Sequence, residues 1–225
     1  MKNILSITIF ALLFLGLGAL ALTAAPGDAG IVAGSAPEVE AADVAATNSF
    51  NFIGMPLDSS ASVTPFQASG LASYMGASVK QVMQWNAASQ IWASYIPGVS
   101  PPPLNFALAV GRSYMIEVDS TSGSVVSFVG DVPAQGSVSN ALVPAAAAGC
   151  NFNTLTIPLD RGDVTTALAL ANDIGGVDQV MQWDAVNQIW SSYIPGVSPP
   201  PLNFATKIGY PYMVCLDNTG PTTWQ

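Results

Sequence analysis

Two aromatic trios are the side chains in this chain best suited to chemistry: Trp85, Trp92 and Tyr95, and, 98 residues on, Trp183, Trp190 and Tyr193. Flat indole and phenol rings suit the apolar faces of pyranose sugars, so sugar stacking is the chemistry on offer. The same spacing also suits aromatic packing between neighbouring strands. Alternation along a strand puts Trp92 on the opposite face from Ile91 and Tyr95. Trp85 and Tyr95 are therefore expected in a core. Trp92 and Trp190 are either exposed stacking rings or further core aromatics. The candidate ligand-binding set is Trp92, Tyr95, Trp190 and Tyr193.

Other chemistry is poorly supplied. The chain has no His, which removes the commonest general base and the commonest transition-metal ligand. The serines consequently lack an activating base. Asp58, Asp160, Asp163 and Asp178 are too scattered for a calcium loop, and no carboxylate spacing suggests a glycosidase pair. We assign no catalytic residue, no metal ligand and no cofactor. Arg161-Gly162-Asp163 spells an integrin-type tripeptide, but Asp163 is placed to cap a helix and the match reads as coincidence.

The two cysteines, Cys150 and Cys215, are expected to form a disulfide in an exported chain, with buried thiols as the alternative. In the chain-entropy picture that bond stabilises by about 4 kcal/mol. Acids outnumber bases 14 to 5. Such a surface repels phosphate backbones and anionic membranes, which argues against nucleic acid as a partner.

The trios sit inside a repeat. Residues 81–107 return as residues 179–205 with 23 of 27 positions identical. Weaker matches flank them: NFIGMPLD (51–58) with NTLTIPLD (153–160), and GRSYMIEVD (111–119) with GYPYMVCLD (209–217). Two copies of one module are the reading. Each copy starts with an apolar strand, 50–57 or 152–159, and a helix should follow. In the first, Thr64 caps, Pro65 opens, Gln67 completes a capping box, Leu71, Tyr74 and Met75 make a stripe, and Gly76 stops it. In the second, Asp163 caps, Val164, Ala167, Leu168, Ala171 and Ile174 line one face, and Gly175-Gly176 ends it.

A hairpin follows, 81–85 and 90–95 around turn residues 86–89. Pro97 and Pro101-Pro102-Pro103 exclude regular sheet from the next loop. Its identity in both copies reads as a shared contact surface or as recent duplication. A closing strand, 113–118, completes the module. Residues 124–130 and 137–143 are further strand candidates. The second copy reaches Gln225 part-way through the equivalent of 124–130, so a missing strand is expected there. The fold class is α+β: two tandem copies of a small, mainly antiparallel β-sheet module with one helix each.

At the N-terminus, Lys2, an apolar run over 4–22 and small residues read as a signal peptide, 1–24, with a retained anchor as the alternative. Cleavage falls after Ala24 or after Ala41. Residues 25–47, rich in Ala, Gly and Pro, read as a flexible tether. Module 1 then covers 48–123, an inter-module strand or linker 124–147, and module 2 148–225.

These framework residues resemble a tandem repeat module of secreted and cell-surface proteins of bacteria and archaea. That pattern has an N-L-I-x-L-P-L-type strand, a helix, V-x-x-W-[DN], W-x-x-Y and a closing L-x-x-G-x-x-Y strand. Its counterparts here lie at 153–159, 180–184, 190–193 and 208–214. The resemblance implies an extracellular, non-catalytic, tandem architecture and carries over no functional residues. The expected function is a secreted or cell-surface binding protein, its duplicated modules recognising a repetitive polysaccharide or cell-wall polymer. The alternative is a structural subunit of an extracellular filament, sheath or surface layer. There, sheet edges would associate, with residues 42–52 adding to a neighbour's sheet. The expected partners are thus an extracellular polymer or neighbouring surface-protein subunits, with membrane contact only through an uncleaved leader.

Overall fold

The structure, a computed structural model, describes residues 42–44, 49–76, 78–119 and 124–225. The leader reading and most of the tether reading lie outside the described residues. The strands are β1 (Ala42–Val44), β2 (Ser49–Gly54), β3 (Val79–Asn86), β4 (Ile91–Tyr95), β5 (Ser113–Val118), β6 (Ser124–Val126) and β7 (Asn140–Ala141). They continue as β8 (Asn151–Thr156), β9 (Val177–Asp184), β10 (Ile189–Tyr193), β11 (Pro211–Leu216) and β12 (Thr223–Trp224). Helix α1 (Ala68–Met75) follows β2, and α2 (Ala167–Ile174) follows β8. Two four-stranded antiparallel sheets result, ordered β2-β5-β3-β4 and β8-β11-β9-β10. Mostly antiparallel sheet with two helices is the α+β class that the pattern predicts.

Each sheet buries one face under its helix. In the first, Ile53, Met55, Val82, Tyr114, Ile116 and Val118 close over Ala68, Leu71 and Ala72. In the second, Leu155, Ile157, Val180, Tyr212, Val214 and Leu216 close over Ala167, Leu170, Ala171 and Ile174. A fully buried aliphatic or aromatic side chain of this size contributes about 1.5–3 kcal/mol. The Cys150–Cys215 disulfide forms, as expected, and ties the residue before β8 to the neighbouring strand β11.

Both helix starts differ from expectation. Helix α1 begins at Ala68, and its cap residue Gln67 makes no side-chain cap. Residues 66–67 are instead extended: Gln67 bridges Ala107, Ala68 N–H donates to Phe106 at 2.9 Å, and Leu108 N–H donates to Phe66 at 3.1 Å. That pairing holds off the helix that Thr64 and Pro65 announce. The free N–H of Ser69 is met from the proline loop by Asn105 Oδ1 at 2.9 Å. In α2, Thr166 caps by accepting from Ala169 N–H, and Asn203 Oδ1 accepts from Leu168 N–H at 2.9 Å. Asp163 pairs with Arg161 rather than capping. Gly76 and Gly175, at φ 98° and 79°, end the helices where the sequence places the stops. Part of the loop identity therefore has a structural cause, since Asn105-Phe106 and Asn203-Phe204 close the helix N-termini.

Two short ladders complete the framework. Within the stretch read as tether, Ala42–Val44 pairs with Ser124–Val126 of the same chain. Where a strand was expected to be missing, Thr223–Trp224 pairs with Asn140–Ala141. Two residues suffice there because Trp224 is 5% exposed, joins the second core and donates its indole N–H to Asp173 at 2.6 Å.

The opposite sheet faces are covered too. Phe52, Met115 and Met213 point away from the helices, yet only 5–7% of each is exposed. Phe52 meets Trp92 and Trp190 edge-on, at 6.3 and 5.5 Å. Ser113 Oγ lies 3.0 Å from Thr156 Oγ1, and Thr156 N–H donates to Gly111 at 3.1 Å. Gly54 fits because a Cβ there would come within 2.5 Å of the Gly209 carbonyl oxygen. The two sheets thus meet on their helix-free faces.

Candidate functional site

Register decides where the predicted aromatics go. Val82 opposes Tyr95 and Trp85 opposes Trp92. Directly opposed residues share a face, so the tyrosine side faces the helix and the tryptophan side faces the other sheet. Tyr95 packs against the first core, and Tyr193, 5% exposed, belongs to the second. Trp85 lies with Trp92 between the sheets, not in the helix-side core; their rings are T-shaped at 5.2 Å, and Trp183 and Trp190 repeat this at 5.1 Å. The four candidate ligand-binding residues therefore do not share one surface. Tyr95 and Tyr193 face the cores, while half-buried Trp92 and Trp190 lean on Phe52.

The hairpin turns reach across to the other sheet, and they do so reciprocally. Trp85 Nε1 donates to Phe152 O and Trp183 Nε1 to Phe50 O, both at 2.7 Å. Gln90 accepts from Phe152 N–H at 2.9 Å and donates to Phe152 O at 3.0 Å. Gln188 treats Phe50 the same way, at 2.8 and 2.9 Å. Strands β2 and β8 lie at sheet edges, so each Gln side-chain amide satisfies backbone groups that an edge would leave open. Among the described residues, Gln90 and Gln188 alone are non-glycines at positive φ, 56° and 55°. The geometry that aims their side chains carries a local cost.

Asn86 and Asp184 form the turns that set this up. Asn86 Oδ1 accepts from the Ala88 and Ser89 N–H groups, and Asp184 Oδ1 from those of Val186 and Asn187. The Asn187 side-chain amide, then these backbone donors, hold the Asp184 carboxyl below the usual carboxylate range.

Where a turn crosses the other sheet's edge, a cleft opens on each side. The first, about 310 Å³, is lined by Gln84, Trp85, Asn86, Arg112, Asn153 and Thr154, among others. The second, about 370 Å³, is lined by Gln182, Trp183, Asp184, Asn51, Lys207 and Tyr210, among others. Gln84-Trp85-Asn86 and Gln182-Trp183-Asp184 are the same repeat positions, as are Asn153 and Asn51. Lys207 Nζ sits 4.9 Å from the Tyr210 ring. Indole walls beside amides and one cation suit a polyhydroxylated ligand with apolar ring faces.

Gln84, Gln182, Arg112, Lys207 and Tyr210 line the clefts without being expected at a site. The available signal was Gln-Trp-[Asn/Asp] inside the near-identical stretch, followed in both copies by an unchanged Gln at 90 and 188. No family model, curated protein or solved structure gives a significant match to this chain. Among the described residues, no helix is long and apolar enough to cross a membrane.

Proposed function

We propose that the chain is an exported, non-enzymatic binding protein, secreted or held at the cell surface. Two copies of one module pack together and bind a repetitive polysaccharide or cell-wall polymer. The observation that carries this reading is the pair of clefts built from repeat-equivalent residues, each with a Trp wall and side-chain amides. Two such sites on one chain suit a polymer that repeats its own epitope, because the second contact forms at high effective concentration. The disulfide suits an oxidising compartment. The test is retention on a panel of immobilised polysaccharides, comparing the native chain with Ala93→Trp plus Ser191→Trp, which fill both clefts. Retention of the native chain alone supports the reading. No retention by any polymer, or equal retention of both proteins, overturns it.

A second reading, a subunit of an extracellular assembly, draws on a different observation. The proline loops expose Val99 and Val197 at 75% each, beside exposed Leu104 and Leu202. Assembly on this reading uses those loops and not the edges of β2 and β8, which Gln188 and Gln90 occupy. Concentration-dependent light scattering that vanishes in Val99→Ser plus Val197→Ser supports it; a monomer at all concentrations overturns it.

A further inference from the structure

We infer that the first cleft selects an anionic sugar unit, bearing a carboxylate or a sulfate, through Arg112, whereas the second does not discriminate by charge. This rests on the polymer-binding reading above and adds the ligand class. The chain has only five basic residues against 14 acids. Four lie among the described residues, and two of them are spent on ion pairs: Lys80 with Asp119 at 2.6 Å, and Arg161 with Asp173 at 2.7 Å and Asp163 at 3.0 Å. Arg112 and Lys207 have no ion-pair partner among the described residues, and each lines one of the two clefts.

The two cations do not occupy equivalent repeat positions; Arg112 corresponds to Tyr210, and Lys207 to Ala109. Duplication therefore did not simply copy one into the other site. Their settings also differ. Lys207 shares its cleft with the Asp184 carboxylate and lies over Tyr210. Arg112 shares its cleft with Asn86 at the matching position, and the other polar lining groups, Gln84, Asn153 and Thr154, are neutral. The lining is net positive in the first cleft and balanced in the second. The half-buried Arg112 side chain makes one long contact, to the Ala141 carbonyl at 3.5 Å. A guanidinium held this way offers paired donors to a carboxylate or sulfate. The acidic surface elsewhere does not forbid this, since salt screens exposed charge beyond about 8 Å at physiological ionic strength.

The experiment measures affinity of the intact oxidised chain for polygalacturonate, dextran sulfate and neutral dextran. Its informative variant is Asn86→Asp, which places a carboxylate in the first cleft. The fold tolerates it, because Asp184 already makes the same turn. Arg112→Gln removes the cation directly. We expect one anionic polymer to bind more tightly than dextran, and each variant to weaken that anionic binding about tenfold, as for loss of one charge-assisted contact. Whichever anionic polymer binds identifies the charged group. Equal binding of neutral and anionic polymers, or unchanged anionic binding in Asn86→Asp, overturns the inference while leaving the polymer-binding reading intact. No binding to any of the three, with retention absent on the wider panel, removes both.

Discussion

Replacing Gln188 by Ala tests the reciprocal latch between the sheets. The substitution deletes the bonds with Phe50 N–H at 2.8 Å and Phe50 O at 2.9 Å, and an intra-turn bond to Ala185 O at 2.6 Å. Phe50 O keeps Trp183 Nε1 at 2.7 Å, but Phe50 N–H is left at a part-buried edge. Counting only the two bonds to Phe50, at about 1 kcal/mol net each, with up to about 1 kcal/mol more for the stranded donor, the expected loss is about 2–3 kcal/mol. Gln188→Gly separates side chain from backbone. It loses the same bonds but relieves the positive φ of 55°, so it should be about 1 kcal/mol more stable than the Ala variant. Gln90→Ala should match Gln188→Ala, and the double variant should lose about 4–6 kcal/mol, since the two sites share no partner. Urea unfolding followed by tryptophan fluorescence reads this directly, because Trp85, Trp92, Trp183 and Trp190 sit between the sheets. Single Ala variants within 0.5 kcal/mol of native, a threshold set by ordinary surface substitutions, would refute the latch.

Other consequences follow from the same geometry. Gly54→Ala should destabilise by about 1–3 kcal/mol, because its Cβ would meet Gly209 O at 2.5 Å and Thr156 at 2.6 Å across the sheet interface; a native melting temperature would contradict face-to-face packing. Cys150→Ser with Cys215→Ser should cost about 4 kcal/mol, given the 65-residue separation, as read by denaturant midpoint. Burial pushes the Tyr114 and Tyr212 phenols up to about 12 from an ordinary 10. A raised phenol means the native state holds its proton longer than the unfolded chain does. The stability it brings is complete below pH 10 and lost between pH 10 and 12, about 3 kcal/mol for each tyrosine. Tyrosinate absorbance against pH should show two phenols ionising late, together with unfolding; titration of every tyrosine near pH 10 in the folded chain would refute it.

Strand and helix existence was legible because alternating apolar runs and Gly76 or Gly175 stops are local signals. Helix starts were not, because the pairing of Gln67 with Ala107 joins residues 40 apart in sequence. The same distance hid the role of Asn105 as a helix-closing group. The cross-strand packing of Trp85 was legible, but not its side of the sheet, since alternation does not show which face meets the helix. The neighbouring strands β5 and β11 are buried on both faces, so burial preference alone could not decide. The clefts were illegible for a related reason: each combines residues of the two four-stranded sheets, Trp85 with Asn153 and Trp183 with Asn51.

Counting ligand sites per chain by equilibrium dialysis, with a short oligosaccharide from a retained polymer, tests the account most directly. Two sites are predicted for the native chain, falling to one when either Ala93→Trp or Ser191→Trp fills a cleft. A count that neither substitution changes would contradict it.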